Sequence, residues 1–339
     1  MSLPHWLHQH LPRAWLRRGP LACLLWPLAL VYGALFALRH QMRRHLGPAA
    51  QRLPVPVLVV GNVVAGGAGK TPLTMALVLH LQSRGWHPGV ISKGHGRLAR
   101  DTRAVCVQSL STEVGDEPLL MQQKTRVPVW VAAQRVDAGR ALLQQHPSVD
   151  ILVCDDGLQD AALARDLDIC VMDERGVGNG WLLPAGPLRE PWPKKVDLVL
   201  HTGVNGLKGG FQAQRQLASH GVNAHGQQFA LASLSGQSVD AVAGLARPEA
   251  FFGMLRDAGL SLHQTLALPD HFDFAHWPKA AWPRTLLCTE KDAVKLWRHQ
   301  AHALAVPLLL KPEPAFWQAL DQGMAEKSLQ PARTKSAAP

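Results

Sequence analysis

The chain is short of cysteine, nearly without tyrosine, and has no acidic residue in its first hundred positions. Five cysteines in 339 residues (Cys23, Cys106, Cys154, Cys170, Cys288) form no CxxC pair. That spacing argues against a disulfide framework or a cysteine-based zinc site, and it fits a reducing compartment. One Tyr beside 11 Trp and 8 Phe leaves little from which to build a base-stacking surface. Residues 1–100 carry ten Arg, two Lys and no Asp or Glu, while the rest of the chain holds 23 basic and 25 acidic side chains. The formal charge of +10 therefore belongs to the N-terminal stretch. A basic arm of this kind suits DNA or an anionic membrane surface.

The apolar content decides between those two. Leu21–Leu38 is 18 residues without a charge, preceded by Arg17 and Arg18 and followed by Arg39, Arg43 and Arg44. As a helix it would span about 27 Å, close to a hydrocarbon core of ~30 Å. A retained membrane anchor is the expectation, with a buried helix and a cleaved signal peptide as alternatives. Export would separate the phosphate loop described below from its nucleotide. An arm that encloses an apolar segment is also a poor nucleic-acid binder, so none is expected. Basic residues on both flanks leave orientation open. At 47% hydrophobic residues, the chain has ample material for a core and for about two domains.

Beyond a proline-bearing stretch at 46–56, apolar runs alternate with helical ones. Strands are expected at Val55–Val60, Val90–Ser92, Val129–Ala132, Asp150–Cys154, Leu167–Met172 and Val196–Leu200. Helices are expected at Thr74–Arg84, Glu117–Lys124 and Ala138–Gln145. A second alternation covers Ala241–Ala243, Pro248–Gly259, Arg284–Cys288, Asp292–Gln300 and Val306–Leu310. The pattern predicts an α/β protein with two lobes, the first a parallel sheet with helices on both faces. Expected boundaries are 1–50 for the anchor, 51–203 for the phosphate-binding lobe, 204–322 for the smaller α/β lobe and 323–339 for a disordered tail.

Val64-Ala65-Gly66-Gly67-Ala68-Gly69-Lys70-Thr71 lies between a β-type run and a helical one, the context of a P-loop. Glycines let backbone N–H groups approach phosphate, and the helix N-terminus adds positive charge. Lys70 reaches the β- and γ-phosphates of ATP, and the Thr71 hydroxyl joins the shell of Mg²⁺. The GxxxxGK[ST] pattern wants glycine at Val64. Asp155 and Asp156 close the strand 150–154, where a metal-binding acid belongs, although an Asx-turn would use the same residues. Gly115-Asp116-Glu117-Pro118 reads equally as a helix cap. Pro269-Asp270-His271 reads as a surface loop, and Thr289-Glu290-Lys291-Asp292 as a capping sequence.

Together these segments resemble one family, the tetraacyldisaccharide 4′-kinases of lipid A biosynthesis. The resemblance runs to about residue 312 through GNVVAGGAGKTP (61–72), GHGR (94–97), VGDEP (114–118), DDGLQ with RD following (155–159, 165–166), GNGWLLPAGPLREP (178–191), GLARPEAFF (244–252), PDH (269–271) and TEKDAVK (289–295). The family's loop also lacks the first glycine.

The resemblance implies a RecA-like P-loop lobe, ATP and Mg²⁺ as cofactors, and a helix anchored in the inner membrane of a Gram-negative bacterium, facing the cytoplasm. The substrate would be a tetraacylated glucosamine disaccharide 1-phosphate in a bilayer with anionic lipids, and a monomer is expected. Asp116 would be the base toward the 4′-hydroxyl, with His271 orienting it. Asp155 and Asp156 would serve the metal, and Arg189, Glu190 and Gln159 would belong to the active site. The chain departs from the family pattern at Lys93, His95, Leu158 and Asp160, where Arg, Tyr, Phe and His are usual. The competing function is a membrane-anchored P-loop ATPase without a small-molecule acceptor.

Overall fold

A computed structural model describes residues 11, 13–203, 209–270, 272–274, 277 and 282–330. By contacts the chain divides into two units, and the division is discontinuous. One unit draws on Met1–Lys70, Asp150–Gln214 and Pro312–Pro339, the other on Thr71–Val149 and Arg215–Lys311.

In the first unit, strand Val57–Gly61 is buried along its whole length, as expected of a β-branched run inside a parallel sheet. It pairs in parallel with Ile151–Asp155 on one side and Leu167–Met172 on the other. Leu198–His201 extends the sheet beyond Leu167–Met172, and residues 211–212 of strand Phe211–Leu217 follow. The register sets Val60 beside Asp155 and Gly61 beside Cys170. The glycine loop and the acidic pair therefore leave the same carboxyl end of the sheet, where ligands of open α/β sheets bind. Gly61 must lack a side chain, because a Cβ there would lie 2.7 Å from Leu158 Cγ. Leu158, one of the departures from the family pattern, is thus a packing residue.

The apolar segment is a helix, Pro20–Leu46, opened by Pro20 at its first position and containing Pro27. Its span Pro20–Arg43 is long and apolar enough to cross a membrane, with a mean hydropathy of 2.2 over its most apolar 18 residues. Only 11% of its most apolar window is buried, which sets aside the buried-helix alternative. Leu24, Leu28, Val31, Leu35 and Leu38 are exposed, whereas Ala22 and Ala29 are buried. The small residues face the protein and admit close approach: a Cβ on Gly33 would stand 3.0 Å from Leu182.

The second unit contains parallel strands Pro88–Ser92 and Val129–Val131, with Arg103–Ala104 antiparallel at the edge. It also contains a six-stranded sheet in which Ser261–Leu268, Ser238–Gly244, Leu286–Thr289 and Leu304–Val306 run parallel. His220–Val222 and Gln228–Ala230 finish that sheet in antiparallel sense. Phe251, Phe252 and Leu255 of helix Pro248–Asp257 pack against Val239, Ala241 and Leu287. A second cluster joins Phe274, Trp277 and Trp282 to Val242 and Cys288, with the two indoles stacked at 5.2 Å.

The expected elements form, with ends shifted by a few residues, except that the single strand expected at Val306–Leu310 is two, Leu304–Val306 and Leu308–Pro312, broken at Pro307, which has no amide to donate. The strands not anticipated are Arg103–Ala104, a two-residue edge strand, and Phe211–Leu217, His220–Val222, Gln228–Ala230 and Ser261–Leu268, which are rich in Gln, Ser and His and buried at few positions, so no apolar run announces them. Helix Pro314–Glu326 takes in the first residues of the stretch expected as a tail.

Candidate active site

The phosphate loop is held from several sides within the first unit. Gly66 and Gly69 have positive φ (94° and 91°), conformations that the missing Cβ makes easy. Val64 is fully buried and bridges to Leu188 in antiparallel fashion, so the position that lacks glycine is a packing and pairing site. On either side of it the Arg189 amide donates to Val63 O at 2.8 Å, and the Ala65 amide to Pro187 O at 2.8 Å. The PAGPLREP segment thus forms a backbone ladder along the first half of the loop.

Strand ends supply further supports. Thr202, just beyond strand Leu198–His201, directs its hydroxyl to Ala68 O at 3.3 Å. Buried Asp173, just beyond Leu167–Met172, binds the Arg175 guanidinium at 2.7 Å. Arg175 in turn donates to Ala65 O at 3.2 Å and Gly67 O at 3.4 Å. A guanidinium can bridge a carboxylate and two carbonyls because its donors form a fixed fork. Sequence reasoning missed Arg175, Asp173 and Thr202; their only signal is their place directly after apolar runs.

Lys70 opens helix Lys70–Ser83, with Thr71 next to it. Its Nζ lies 3.5 Å from Asp156 Oδ1 and 3.4 Å from Asn62 Oδ1. Arg189 Nη1 stands 3.3 Å from both oxygens of Asp156. Asp156 therefore faces two cations, and it sits in the left-handed region at φ 49°. A non-glycine residue there is uncommon and is often found at functional sites. Asp155, the last strand residue, is 1% exposed. The Gln159 amide donates to Asn62 O at 2.8 Å and to Glu190 Oε1 at 2.7 Å. Lys194 completes the group at 3.0 Å from Glu190 Oε2.

The loop after the acidic pair is fixed by the RD dipeptide. Arg165 donates to the carbonyls of Leu158 and Asp160, and Asp166 accepts the Val57 amide at 2.9 Å. Asp160, another departure, accepts the Ala162 amide in a local turn.

Asp116 belongs to the second unit, at the first position of helix Asp116–Thr125. Gly115 before it packs on Gly94: a Cβ at Gly115 would meet Gly94 at 3.0 Å, and both have positive φ. The adjoining departures Lys93 and His95 are exposed. Asp116 is buried, and Lys295 Nζ lies 2.8 Å from its Oδ2. Lys291 of the same TEKDAVK segment contacts Asp270 at 2.7 Å and Glu117 at 3.9 Å, while Glu290 pairs with Lys124. Burial alone would push Lys291 down, but the Asp270 and Glu117 carboxylates outweigh it and raise its pKa above the ordinary lysine value. Thr289 caps the helix by accepting the Asp292 amide, as its sequence suggests. The segment is therefore both a cap and a set of cations aimed at the GDEP helix, and this second part sequence reasoning missed. His271 lies outside the described residues.

Among the described residues, no group of three or more His, Cys, Asp or Glu could hold a metal by itself. Asp155 and Asp156 at a strand end still offer the hard oxygen donors that Mg²⁺ takes when it arrives with nucleotide phosphates, one or two carboxylates being its usual protein share.

A family model described as tetraacyldisaccharide-1-P 4′-kinase matches residues 21–325. The tetraacyldisaccharide 4′-kinase of an Acidovorax species is 56% identical over 328 residues, spanning 96% of this chain and 97% of its own. That of Polaromonas naphthalenivorans is 54% identical over 324 residues, spanning 93% and 94%. In a crystal structure of the "apo" form of LpxK from Aquifex aeolicus in complex with ATP, the fold matches with a TM-score of 0.78 at 26% identity. The match covers 91% of this chain and 99% of that one.

Proposed function

The chain belongs to the tetraacyldisaccharide-1-P 4′-kinase family and performs ATP-dependent 4′-phosphorylation in lipid A biosynthesis, and we propose how its residues divide that work. ATP lies with its phosphates along residues 64–71, as the ATP complex of the Aquifex relative supports. Lys70 and Arg189, both within reach of Asp156, stabilise from there the charge that develops on the transferred group. The single observation that carries this reading is the Lys70–Asp156–Arg189 arrangement at the mouth of the loop.

Asp155, Asp156 and Thr71 would hold Mg²⁺, which neutralises phosphate charge when bound. Glu190, set by Gln159 and Lys194, shapes the same pocket wall. Asp116 takes the proton of the 4′-hydroxyl, its carboxylate oriented by Lys295 and, in our reading, by His271.

The helix Pro20–Leu46 holds the protein at the cytoplasmic face of the inner membrane. Arg39 and Arg43 meet anionic headgroups there, and the acyl chains of the substrate stay in the lipid layer.

The test is transfer of labelled γ-phosphate. With purified protein, Mg²⁺ and the disaccharide 1-phosphate lipid in mixed micelles, label should move to the lipid, and ATP turnover without lipid should be negligible. Rapid lipid-independent turnover with no label on the disaccharide would favour the ATPase instead.

A further inference from the structure

Tyr32, the only tyrosine in the chain, lies on the apolar helix, and its hydroxyl donates to the Arg189 carbonyl at 2.7 Å. Arg189 is thereby held at three points. Its amide donates to Val63 O of the phosphate loop, its carbonyl accepts from Tyr32, and its guanidinium faces Asp156. With its main chain fixed on both edges, Arg189 has a set point of origin, from which its guanidinium reaches Asp156.

The residues just before the helix, and the helix itself at Trp26, are tied to the same stretch of chain. Trp15 Nε1 donates to Pro184 O at 2.9 Å, and the Asn179 amide to Trp15 O at 2.7 Å. The Arg18 guanidinium lies 5.2 Å above the Trp181 ring, and Trp26 meets that ring at 6.3 Å. A helix needed only for attachment could hang from a flexible tether. This one is docked along one face, and its only tyrosine reaches the backbone of a residue at the phosphate site.

We propose that Tyr32 is a positioning residue for phosphoryl transfer, fixing Arg189 so that its guanidinium stays aimed at the acidic pair and the phosphates. The membrane helix is then a wall of the active site's support, and a helix seated in lipid favours the arrangement that transfers phosphate. The inference rests on the roles given above to Arg189 and Asp156.

Tyr32→Phe removes one oxygen and keeps the ring. Loss of one net hydrogen bond should lower kcat about three- to tenfold. KM for ATP should change less than twofold and flotation with phosphatidylglycerol-containing vesicles not at all, which separates positioning from anchoring. In an Arg189→Ala background, Tyr32→Phe should have no further effect on kcat. Trp15→Phe breaks a different bond of the same docking surface and should leave kcat unchanged.

Parental kcat in Tyr32→Phe overturns the inference, and so does a loss that multiplies fully with Arg189→Ala. An equal loss in Trp15→Phe would mean general loosening and overturns it as well. If Arg189→Ala itself retains parental kcat, the proposed role of Arg189 fails, and this inference fails with it.

Discussion

Lys295 Nζ sits 2.8 Å from Asp116 Oδ2, and both side chains are buried. The TEKDAVK lysine and the GDEP carboxylate thus form one unit, although 179 positions separate them in the chain. Removing one partner of a buried pair leaves the other as an uncompensated charge, which is where most of the cost lies.

The pair predicts a specific mutant pattern. Asp116→Asn should lower kcat by about 10²–10⁴ while ATP affinity stays near parental. Lys295→Met should lower both kcat and melting temperature, because it strips the carboxylate of its orienting partner and leaves it buried. The double mutant should lose much less than the product of the two. If Asp116→Asn loses only about 1 kcal/mol of stability, as for a missing helix cap, and keeps its turnover, Asp116 is not the base. Urea unfolding and steady-state kinetics on the same preparations decide between them.

At the phosphate loop, Lys70→Ala should cost on the order of 10²–10³ in kcat. Folding should survive, because Asp156 keeps Arg189 at 3.3 Å when Lys70 is gone. The circular dichroism melt is the control, and parental turnover in a folded Lys70→Ala protein would refute the assignment.

Alkaline pH should destabilise the protein. Burial raises the Cys170 thiol to about 12, with Glu190 adding to the shift. Burial likewise raises Cys288 well above the ordinary value of 9.0. A raised folded pKa contributes stability that is complete below the unfolded pKa and is lost as pH climbs toward the folded one. Lys291, also raised, acts in the same direction at higher pH. Unfolding free energy should therefore fall from about pH 9 upward, measured by urea titration. In native protein at pH 8, Cys106 and, in detergent, Cys23 should take up maleimide, while buried Cys154, Cys170 and Cys288 should not.

Deleting residues 1–45 should abolish flotation with vesicles and also lower the melting temperature, since Trp181 and Leu182 lose their cover. A truncated protein with parental melting temperature would mean that the helix contributes attachment alone.

The P-loop could be read from the chain because everything that makes it lies in one continuous stretch, Val55–Arg84: a β-branched run, glycines, Lys70 and a helical stretch. The acidic pair was readable for the same reason, since Asp155 and Asp156 directly follow an apolar run. The apolar helix declared itself by eighteen uncharged positions. Glu290–Leu296 is the instructive contrast. Its cap, Thr289 accepting the Asp292 amide, spans three residues and was legible. The targets of Lys291 and Lys295 were not, because nothing near them in the chain names a partner.

Sequence alone thus determined the local pieces, an α/β chain with a phosphate loop, carboxylates at a strand end and an apolar N-terminal helix, because covalent neighbours and side-chain periodicity dictate each of them. Only the tertiary structure decided which groups meet. Arg175 reaches Ala65 across 110 positions and Tyr32 reaches Arg189 across 157. Such contacts depend on sheet register and helix docking, which sum weak interactions over the whole fold and leave no signature at either end.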